Sequence, residues 1–267
     1  MKIQKYHVDA FTDRLFGGNP ACVIPLQKWL PDDILFQITK ENNLAETAFF
    51  IPIDDGFHIR WFTPEVEMDL CGHASLASAH VIREHLHYKK DIIYFQSASG
   101  DLQVSFEGDK YVLDFPSRIP VKAELPQIIK ESLNIQPSEV FLSRDYVLLY
   151  ESEEEISTLK LDENKLKQID LGHGGIICTA AGTKSDFISR FFTPGASIFE
   201  DPVTGSAHCS LIPFWSKKNG KKEQLAFQVS ERKGVLYCKD EGERVSIAGQ
   251  AITYSVGEIF LPNSDQK

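Results

Sequence analysis

The sequence predicts an α+β protein built from two similar halves, and three observations support this prediction. Strand-like and helical segments alternate irregularly, which fits neither a regular series of parallel βαβ units nor a pure β-sandwich. A short motif that ends in Thr-Pro occurs once in each half. A stretch with proline and charged residues, 117–124, separates the halves. We therefore expect two domains, residues 1–117 and 118–267, and the last strand is a candidate to pack on the first domain.

The first half opens with two strands joined by a turn. Alternating apolar residues predict a strand at 6–11, and a second short strand follows at 22–25. The Gly-Gly-Asn-Pro run at 17–20 predicts a turn, because glycine and asparagine accept positive φ and proline cannot continue a central strand. Pro31 and the two acids after it then predict the start of a helix.

The rest of the first half combines strands with one helix, and the second half repeats this order. Apolar residues at helical spacing predict a helix between Gly72 and Leu86, and further helices are predicted near 127–133 and after Gly205. Branched and aromatic residues predict strands at 47–51, 57–62, 92–95, 102–106, 111–115, 146–150, 175–179, 186–192, 226–229, 234–238, 243–248 and 251–256.

The internal repeat is the most informative feature of the sequence. Residues 59–64 read Ile-Arg-Trp-Phe-Thr-Pro, and residues 189–194 read Ser-Arg-Phe-Phe-Thr-Pro. In both copies a loop follows, and then a glycine, Gly72 or Gly205, begins a helix rich in small residues. Two related halves usually face each other across a cleft, and ligand pockets favour such domain interfaces. The repeat therefore predicts a ligand site between the halves.

Both predicted helix starts are candidate anion sites. The first turn of a helix offers free backbone N–H groups and the positive end of the helix dipole. Two such starts would together hold a carboxylate without needing lysine or arginine. Gly72 and Gly205 also have a simpler interpretation, in which each glycine only allows a tight turn from strand to helix.

Charge and cysteine content disfavour several classes of function. The net charge is −10 and the pI is near 5.3, so we expect no nucleic-acid partner, because an acidic surface repels phosphate backbones. The five cysteines lie far apart without a Cys-x-x-Cys pair, which disfavours disulfides and zinc sites. The N-terminus is typical of a strand rather than a signal peptide, and no apolar run approaches the roughly 20 residues that span a bilayer. We therefore expect a protein of the reducing cytoplasm with no membrane partner.

The usual motifs of nucleotide and metal chemistry are missing from the sequence. It has no phosphate-binding loop, no dinucleotide-binding Gly-x-Gly-x-x-Gly after a strand and no Gly-x-Ser-x-Gly hydrolase elbow. His80, His85 and His87 cluster loosely without a well-placed acidic ligand, so we expect no metal site. These absences indicate chemistry without a nucleotide or a metal.

Glu46 is a candidate acid/base residue because it directly precedes an apolar strand. If that strand is buried, the carboxylate lies at its mouth and is partly desolvated. Desolvation raises a carboxylate pKa toward the range that acid/base catalysis needs. A surface glutamate at the start of a strand is the simpler alternative.

Further polar residues lie next to the two predicted helix starts. His73 could donate to a carboxylate or orient a base, or it could be a core or capping histidine. Asp201 could be a second acid/base group or cap its loop, and Ser206 could donate its hydroxyl to a ligand or cap the helix. Cys71 could be a nucleophile or a base, since a helix N-terminus lowers the pKa of a thiol. The second copy has no cysteine before Gly205, so a two-thiol mechanism is unsupported.

Four separated motifs, in order and over nearly the whole chain, carry a resemblance to a known family. They are Asp-Ala-Phe-Thr with Phe-Gly-Gly-Asn-Pro-Ala (9–12 and 16–21), Asn-Leu-Ala-Glu-Thr-Ala-Phe (43–49), Arg-Trp-Phe-Thr-Pro with Asp-Leu-Cys-Gly-His-Ala (60–64 and 69–74), and Glu-Asp-Pro-Val-Thr-Gly-Ser-Ala-His (200–208). These motifs resemble the PhzF-like phenazine-biosynthesis family. The resemblance implies the diaminopimelate epimerase-like fold, in which each of two similar domains wraps a sheet around a central helix and the site lies between them. It also implies a homodimer without a cofactor.

The resemblance further implies a reaction and a set of site residues. The best-known member of the family isomerises trans-2,3-dihydro-3-hydroxyanthranilate by moving a proton between ring carbons. The acid/base glutamate of the family matches Glu46, and its histidine after glycine matches His73. Its aspartate matches Asp201, and its Gly-Ser helix start matches Gly205 and Ser206.

Two features refine what the resemblance implies. Ala45 stands where a serine often precedes the glutamate, so a hydrogen bond is lost or replaced there. Relative to epimerases of the same fold, Cys71-Gly72 resembles their first thiol motif, whereas Asp201 resembles the position of their second thiol. The pattern therefore favours proton transfer by one carboxylate over two-thiol racemisation.

These inferences combine into one hypothesis and two alternatives. We expect a small amino or hydroxy carboxylic acid that is held at both helix starts with help from Ser206, while Glu46 moves its carbon-bound proton. His73 and Asp201 stabilise the charge or tautomer that develops. The alternatives are an amino-acid epimerase or racemase that uses Cys71, and a catalytically silent protein that binds small acids.

Overall fold

The computed structural model describes residues 1–172 and 174–262 of the 267-residue chain. The chain forms two compact units. Among the described residues, the first unit contains Met1–Leu113 and those from 249 to 262, and the second contains those within Asp114–Ala248. The sequence places its boundary after residue 117, whereas the second unit starts at Asp114 and the C-terminal strand belongs to the first unit.

Strands and helices are mixed along the chain, which confirms the predicted α+β class. The strands are β1 (Lys2–Ala10), β2 (Asn19–Pro25), β3 (Glu46–Ile53), β4 (Gly56–Phe62), β5 (Glu67–Met68), β6 (Ile92–Ser97), β7 (Gly100–Glu107), β8 (Lys110–Pro116), β9 (Val121–Lys122), β10 (Glu139–Leu142), β11 (Tyr146–Leu149), β12 (Ile176–Ala181), β13 (Phe187–Phe192), β14 (Glu200–Asp201), β15 (Glu223–Gln228), β16 (Gly234–Asp240), β17 (Arg244–Gly249) and β18 (Ala251–Phe260). The helices are α1 (Asp32–Asn42), α2 (Gly72–His80), α3 (Gln127–Ser132), α4 (Glu153–Thr158), α5 (Glu163–Leu166) and α6 (Gly205–Asn219). Within the described part of the chain, no helix has the length and apolar character needed to cross a membrane.

The first unit is built on a sheet with α2 packed against it. β1 pairs antiparallel with the C-terminal strand β18 and with β2. β2 pairs in parallel with β3, β3 pairs antiparallel with β4, and β4 pairs with both β5 and β6. Every residue of α2 is buried, and the helix contacts β1, β2, β3 and β18. Because its side chains are mostly small, the sheet approaches the helix closely and holds its first turn in place.

The second unit repeats the same order of pairing. β11 pairs in parallel with β12, β12 antiparallel with β13, and β13 with both β14 and β15. α6 occupies the position in the chain that α2 has in the first unit, and it contacts β15 and β16. A buried cluster that includes Ile129, Leu148, Ile156, Ile176 and Phe192 joins α3 and α4 to this sheet.

The repeated motif fixes the loop that precedes each of these two helices. Arg60 on β4 donates from Nε and Nη2 to the Glu67 carboxylate on β5, at 2.7 Å each. Arg190 on β13 makes the same pair of bonds to Glu200 on β14, at 2.8 and 2.7 Å. Each guanidinium also lies over the ring of the phenylalanine two residues further along, 5.0 and 4.9 Å from its centroid. In each copy of the repeat, the arginine thus binds the glutamate of the next short strand and packs on the phenylalanine, which explains why both residues recur at this spacing.

Two local features differ from the sequence-based expectation. The predicted helix at 72–86 is α-helical only to His80, after which a wider π-helical turn, Val81–His85, continues it. Every residue of α2 is buried, so burial extends beyond the apolar positions that predict the helix. α4 was not predicted, because its sequence is dominated by three acids that suit the positive end of a helix dipole but give no apolar period.

Candidate active site

Glu46 is the first residue of β3, at the point where this strand enters the sheet. The next four residues of the strand are buried, and the Glu46 side chain is 17% exposed. Parallel pairing with β2 fixes its backbone opposite Ala21. The carboxylate therefore lies at the mouth of a buried strand, which is the position that the sequence predicts.

His73 contacts this carboxylate from the first turn of α2. Its side chain is 4% exposed, and its Nε2 atom lies 3.0 Å from Glu46 Oε2. Neither atom meets the angular geometry of a hydrogen bond with a described residue, so the contact is an ion pair that leaves both atoms able to bond to a ligand. Burial opposes a charge on His73, but its contacts with the neighbouring Cys71 and Glu46 side chains outweigh burial and raise the pKa of His73 well above its usual range.

The opposite nitrogen of the His73 ring contacts two more residues. Nδ1 lies 3.2 Å from Asn19 Nδ2 and 3.6 Å from Cys71 Sγ. Asn19 is the first residue of β2 and is fully buried. The sequence predicts only a turn at Asn19, although its place in the Gly-Gly-Asn-Pro motif is a signal that could identify it as a site residue. Contacts on both ring nitrogens fix the orientation of the imidazole.

Cys71 is the N-cap residue of α2, and its thiol is buried. Burial raises the pKa of the Cys71 thiol, so the expected lowering by the helix N-terminus is wrong. The thiol therefore stays protonated at neutral pH, which suits a neutral contact of His73 better than a nucleophile.

Glu46, Cys71 and His73 also offer one metal-ligand atom each, and these atoms lie within 4.8 Å of one another. Glu46 contacts Nε2 of the imidazole, whereas Cys71 contacts Nδ1. A tetrahedral ion needs all its ligand atoms within about 2.0–2.3 Å, and it would take only one nitrogen of the ring. The three side chains therefore fit a chain of polar contacts, with the imidazole ring between Glu46 and Cys71, better than a metal site.

Both α2 and α6 begin without a capping side chain. Their N-cap residues, Cys71 and Thr204, make no side-chain bond to the helix, and neither first turn contains an acid. In contrast, α4 and α5 are capped by Ser152 and Asp162 and carry acids in their first turns. The first backbone N–H groups of α2 and α6 therefore keep the donor capacity and the positive dipole end that favour an anion.

Asp201 ends β14 and bonds within its own loop. Its Oδ2 accepts a hydrogen bond from Thr204 Oγ1 at 2.5 Å. Gln228 on β15 reaches the same loop, where Nε2 donates to the Asp201 carbonyl and Oε1 accepts from the Thr204 N–H, each at 2.8 Å. Asp201 therefore caps its loop, and because the Thr204 hydroxyl is bound to Asp201 it does not cap α6. An acid/base role for Asp201 stays a prediction.

Ser206 is the second residue of α6 and not its N-cap, so the capping alternative is wrong for this serine. Its Oγ accepts a hydrogen bond from Arg144 Nη2 at 2.9 Å. Arg144 lies in the turn between β10 and β11 and is not among the site residues predicted from the sequence. The only signal in the sequence was a charged residue between two strands.

The residues predicted for the site fall into one group in each unit, and each group surrounds an uncapped helix start. The first unit holds Glu46, Gly72 and His73, and the second unit holds Asp201, Gly205 and Ser206.

Comparisons with known proteins identify similar sequences and structures over nearly the whole chain. A family model described as phenazine biosynthesis-like protein matches residues 8–257. An uncharacterized isomerase of Pseudomonas aeruginosa is 45% identical over 262 residues, which cover 98% of this chain and 100% of that protein. The crystal structure of a PhzF-family phenazine biosynthesis protein from Enterococcus faecalis has a TM-score of 0.94 at 42% identity, over 98% of this chain and 100% of that one.

A more distant structure shows how widely the fold is shared. A probable proline racemase from Agrobacterium radiobacter has a TM-score of 0.65 at 11% identity, over 99% of this chain and 94% of that one. At this identity the likeness concerns the fold alone. Together with the Enterococcus structure it confirms the predicted diaminopimelate epimerase-like fold.

Proposed function

We propose, from the premise that this chain belongs to the phenazine biosynthesis-like protein family and is an isomerase, that it moves a proton between carbon atoms of a small amino or hydroxy carboxylic acid. The observation that carries the proposal is the ion pair between Glu46 and His73 at the first turn of α2. It places a carboxylate that can take up a proton beside a cation that can stabilise negative charge.

Glu46 is the acid/base residue of this proposal. Its carboxylate removes a proton from one carbon of the substrate, and the electron pair of the broken C–H bond moves into the conjugated system of the acid. Glu46 then returns the proton to a second carbon, so the reaction needs no net donor or acceptor. Because one carboxylate can both remove and return the proton, the proposed chemistry calls for no cofactor.

His73 supports the carboxylate and the developing charge. Its raised pKa favours the imidazolium, which pairs with the Glu46 carboxylate and offers an Nε2–H donor to a substrate oxygen. Asn19 and Cys71 lie against the far side of the ring and limit its rotation, which restricts the direction of this donor. Because such a donor is already oriented, no free energy is needed to reorient it in the transition state.

The substrate carboxylate is assigned to backbone N–H groups at uncapped helix starts. In the first unit these belong to Gly72 and its neighbours in the first turn of α2. In the second unit we assign substrate binding to Gly205 and Ser206 and charge stabilisation to Asp201. The absence of acidic residues in the first turns of both helices supports this assignment.

A thiol-assisted epimerase receives less support from the same site. Such an enzyme needs a thiolate, whereas burial keeps the Cys71 thiol protonated. Cys209 in α6 is also buried, and burial raises the pKa of its thiol to about 11. The carboxylate is therefore the better candidate for the base.

Proton exchange in D₂O tests the function directly. Wild type would be incubated with dihydrohydroxyanthranilate and a panel of small amino and hydroxy acids, and deuterium uptake at carbon would be followed by NMR. We expect uptake on at least one acid and a fall of about 100-fold or more in Glu46→Gln. Glu65→Gln is a matched control, because Glu65 is an exposed carboxylate of the same unit. Near-wild-type exchange in Glu46→Gln would refute the role of Glu46.

We also propose that the protein forms a homodimer and that it works in a reducing compartment. The family resemblance supports the dimer, and the five cysteines, all buried free thiols, support the compartment. Light scattering on the purified protein tests the dimer, and a monomer at micromolar concentration would contradict it.

A further inference from the structure

We infer that Arg144 is a positioning residue for substrate binding, which holds the Ser206 hydroxyl so that its proton points toward the carboxylate of the bound acid. The inference rests on the proposed function, in which Ser206 binds the substrate. It adds a residue from the turn between β10 and β11 to the machinery that recognises the acid.

The direction of the Arg144–Ser206 hydrogen bond carries the argument. A guanidinium has only donors, so at 2.9 Å from Arg144 Nη2 the Ser206 oxygen must accept. The hydroxyl proton is thereby left to point away from Arg144, and no described residue accepts it. Ser206 lies in the first turn of α6, whose backbone N–H groups have no capping side chain. The hydroxyl and these N–H groups form a donor set that suits a carboxylate.

The Arg144 guanidinium is held in place by the buried carboxylate of Asp145. Its Nε donates to Asp145 Oδ1 at 3.3 Å, and its Nη2 lies 3.2 Å from Oδ2. The Asp145 side chain is fully buried and also accepts from the Gly175 N–H at 2.8 Å. The Arg144 side chain keeps 28% of its surface exposed, so the guanidinium is anchored on one side and open on the other.

The same turn is fixed to α6 by a second contact. Ser143 Oγ lies 2.8 Å from Ser210 Oγ, one helical turn beyond Ser206 on the same face of α6. Ser143 therefore attaches the turn to the helix without supplying a charge. This makes Ser143→Ala a matched control, because it loosens the same turn and leaves the cation in place.

Charge around this turn also favours an anion. Arg118 and Arg144 both act electrostatically on Asp145, so the three groups carry one excess positive charge. The whole chain has a net charge of −10, but this turn is locally positive and lies next to the start of α6. A carboxylate held there gains from the field as well as from direct hydrogen bonds.

Binding of two small probes that differ only in charge tests the inference. The probes are anthranilate and its uncharged amide, anthranilamide, measured by calorimetry on wild type, Arg144→Gln, Arg144→Lys, Ser143→Ala and Ser206→Ala. We expect wild type to prefer the acid, and Arg144→Gln to weaken binding of the acid by about tenfold while leaving the amide nearly unchanged. Arg144→Lys should recover part of this loss, and Ser143→Ala should behave as wild type.

A double variant separates a positioning role from an independent one. If Arg144 acts through Ser206, then Arg144→Gln combined with Ser206→Ala should lose no more affinity for anthranilate than Ser206→Ala alone. Additive losses, equal losses for acid and amide, equal losses in Ser143→Ala, or no preference for the acid in wild type would each overturn the inference. A failure of Glu46 as the base would be seen separately, as near-wild-type exchange in Glu46→Gln in the D₂O assay.

Discussion

The Nε2 atom of His73 lies 3.0 Å from Oε2 of Glu46, and the two side chains are only 4% and 17% exposed. At this distance in a largely buried setting, the charge of each group depends on the charge of the other. Burial also keeps the neighbouring Cys71 thiol protonated, which leaves Glu46 as the full negative charge next to the ring. The protonation of His73 should therefore report on Glu46.

Glu46→Gln should lower the pKa of His73. The substitution removes the attraction of the carboxylate, and burial, which favours the neutral ring, then dominates. NMR titration of the His73 imidazole in wild type, Glu46→Gln and the control Glu65→Gln measures the change. We expect the pKa of His73 to fall in Glu46→Gln only. An unchanged titration would show that the ion pair does not set the charge of His73.

Cys71→Ala should leave the reaction largely intact. Its neutral thiol contacts Nδ1 of His73 at 3.6 Å, and the Asn19 contact at 3.2 Å still holds the ring after the thiol is removed. We expect proton exchange within about tenfold of wild type, which corresponds to about 1.4 kcal/mol in the barrier. Cys22→Ala is a matched control, because Cys22 is a buried thiol of the same unit. A loss of several hundredfold in Cys71→Ala alone would favour the thiol-assisted epimerase.

The sequence is most informative where structure depends on local pattern. The order of strands and helices follows from periodicity and turn residues, and the place of Glu46 follows from the apolar run behind it. Contacts between residues that are far apart in the sequence could not be predicted in this way. Asn19 meets His73 across 54 positions of the chain, and Arg144 meets Ser206 across 62. These contacts depend on how β2 and the β10–β11 turn pack on their helices, which no local pattern specifies.

The direction of the pKa shift of the Cys71 thiol also could not be predicted from the local sequence. A helix N-terminus lowers a thiol pKa, and that effect is visible in the sequence as a glycine that begins a helix. Burial acts in the opposite direction and is larger here, because the whole of α2 is enclosed by the sheet. The amount of burial depends on the tertiary packing of several strands, so the sign of the shift could not be predicted from the motif.

Arg190→Lys should destabilise the second unit more than Arg60→Lys destabilises the first. Both arginines bind a glutamate with two hydrogen bonds, but their Nη1 groups differ. Arg190 Nη1 donates to the carbonyls of Ile156 and Leu159, at 3.1 and 2.8 Å, whereas Arg60 Nη1 donates to the exposed Asp32 carboxylate at 2.9 Å. A lysine cannot reproduce this planar set of donors. We expect a loss of about 2–3 kcal/mol for Arg190→Lys and about 1 kcal/mol for Arg60→Lys, because the latter pair is more exposed. Hydrogen exchange in α6 and α2 reports on the two units separately, and equal losses would contradict this difference.

His208→Gln should reduce the acid sensitivity of the protein. His208 is fully buried in α6; its Nδ1 lies 2.8 Å from the Thr204 carbonyl, and its Nε2 has no partner among the described residues. Burial therefore lowers the pKa of His208 to about 4. Since the unfolded state has the usual pKa near 6.5, it binds more protons between these values, and stability is lost as the pH falls from about 6.5 to about 4. For one histidine this loss is about 3 kcal/mol.

Urea unfolding between pH 4 and pH 7 measures this effect as the slope of the unfolding free energy against pH. Replacing His208 by glutamine removes the group that titrates, so the slope should fall even if the variant is less stable at every pH. His87→Gln is the control, because His87 is exposed and its replacement should leave the slope unchanged. If His208→Gln keeps the wild-type slope, then acid unfolding is driven by other groups, such as His80, whose pKa burial also lowers to about 4.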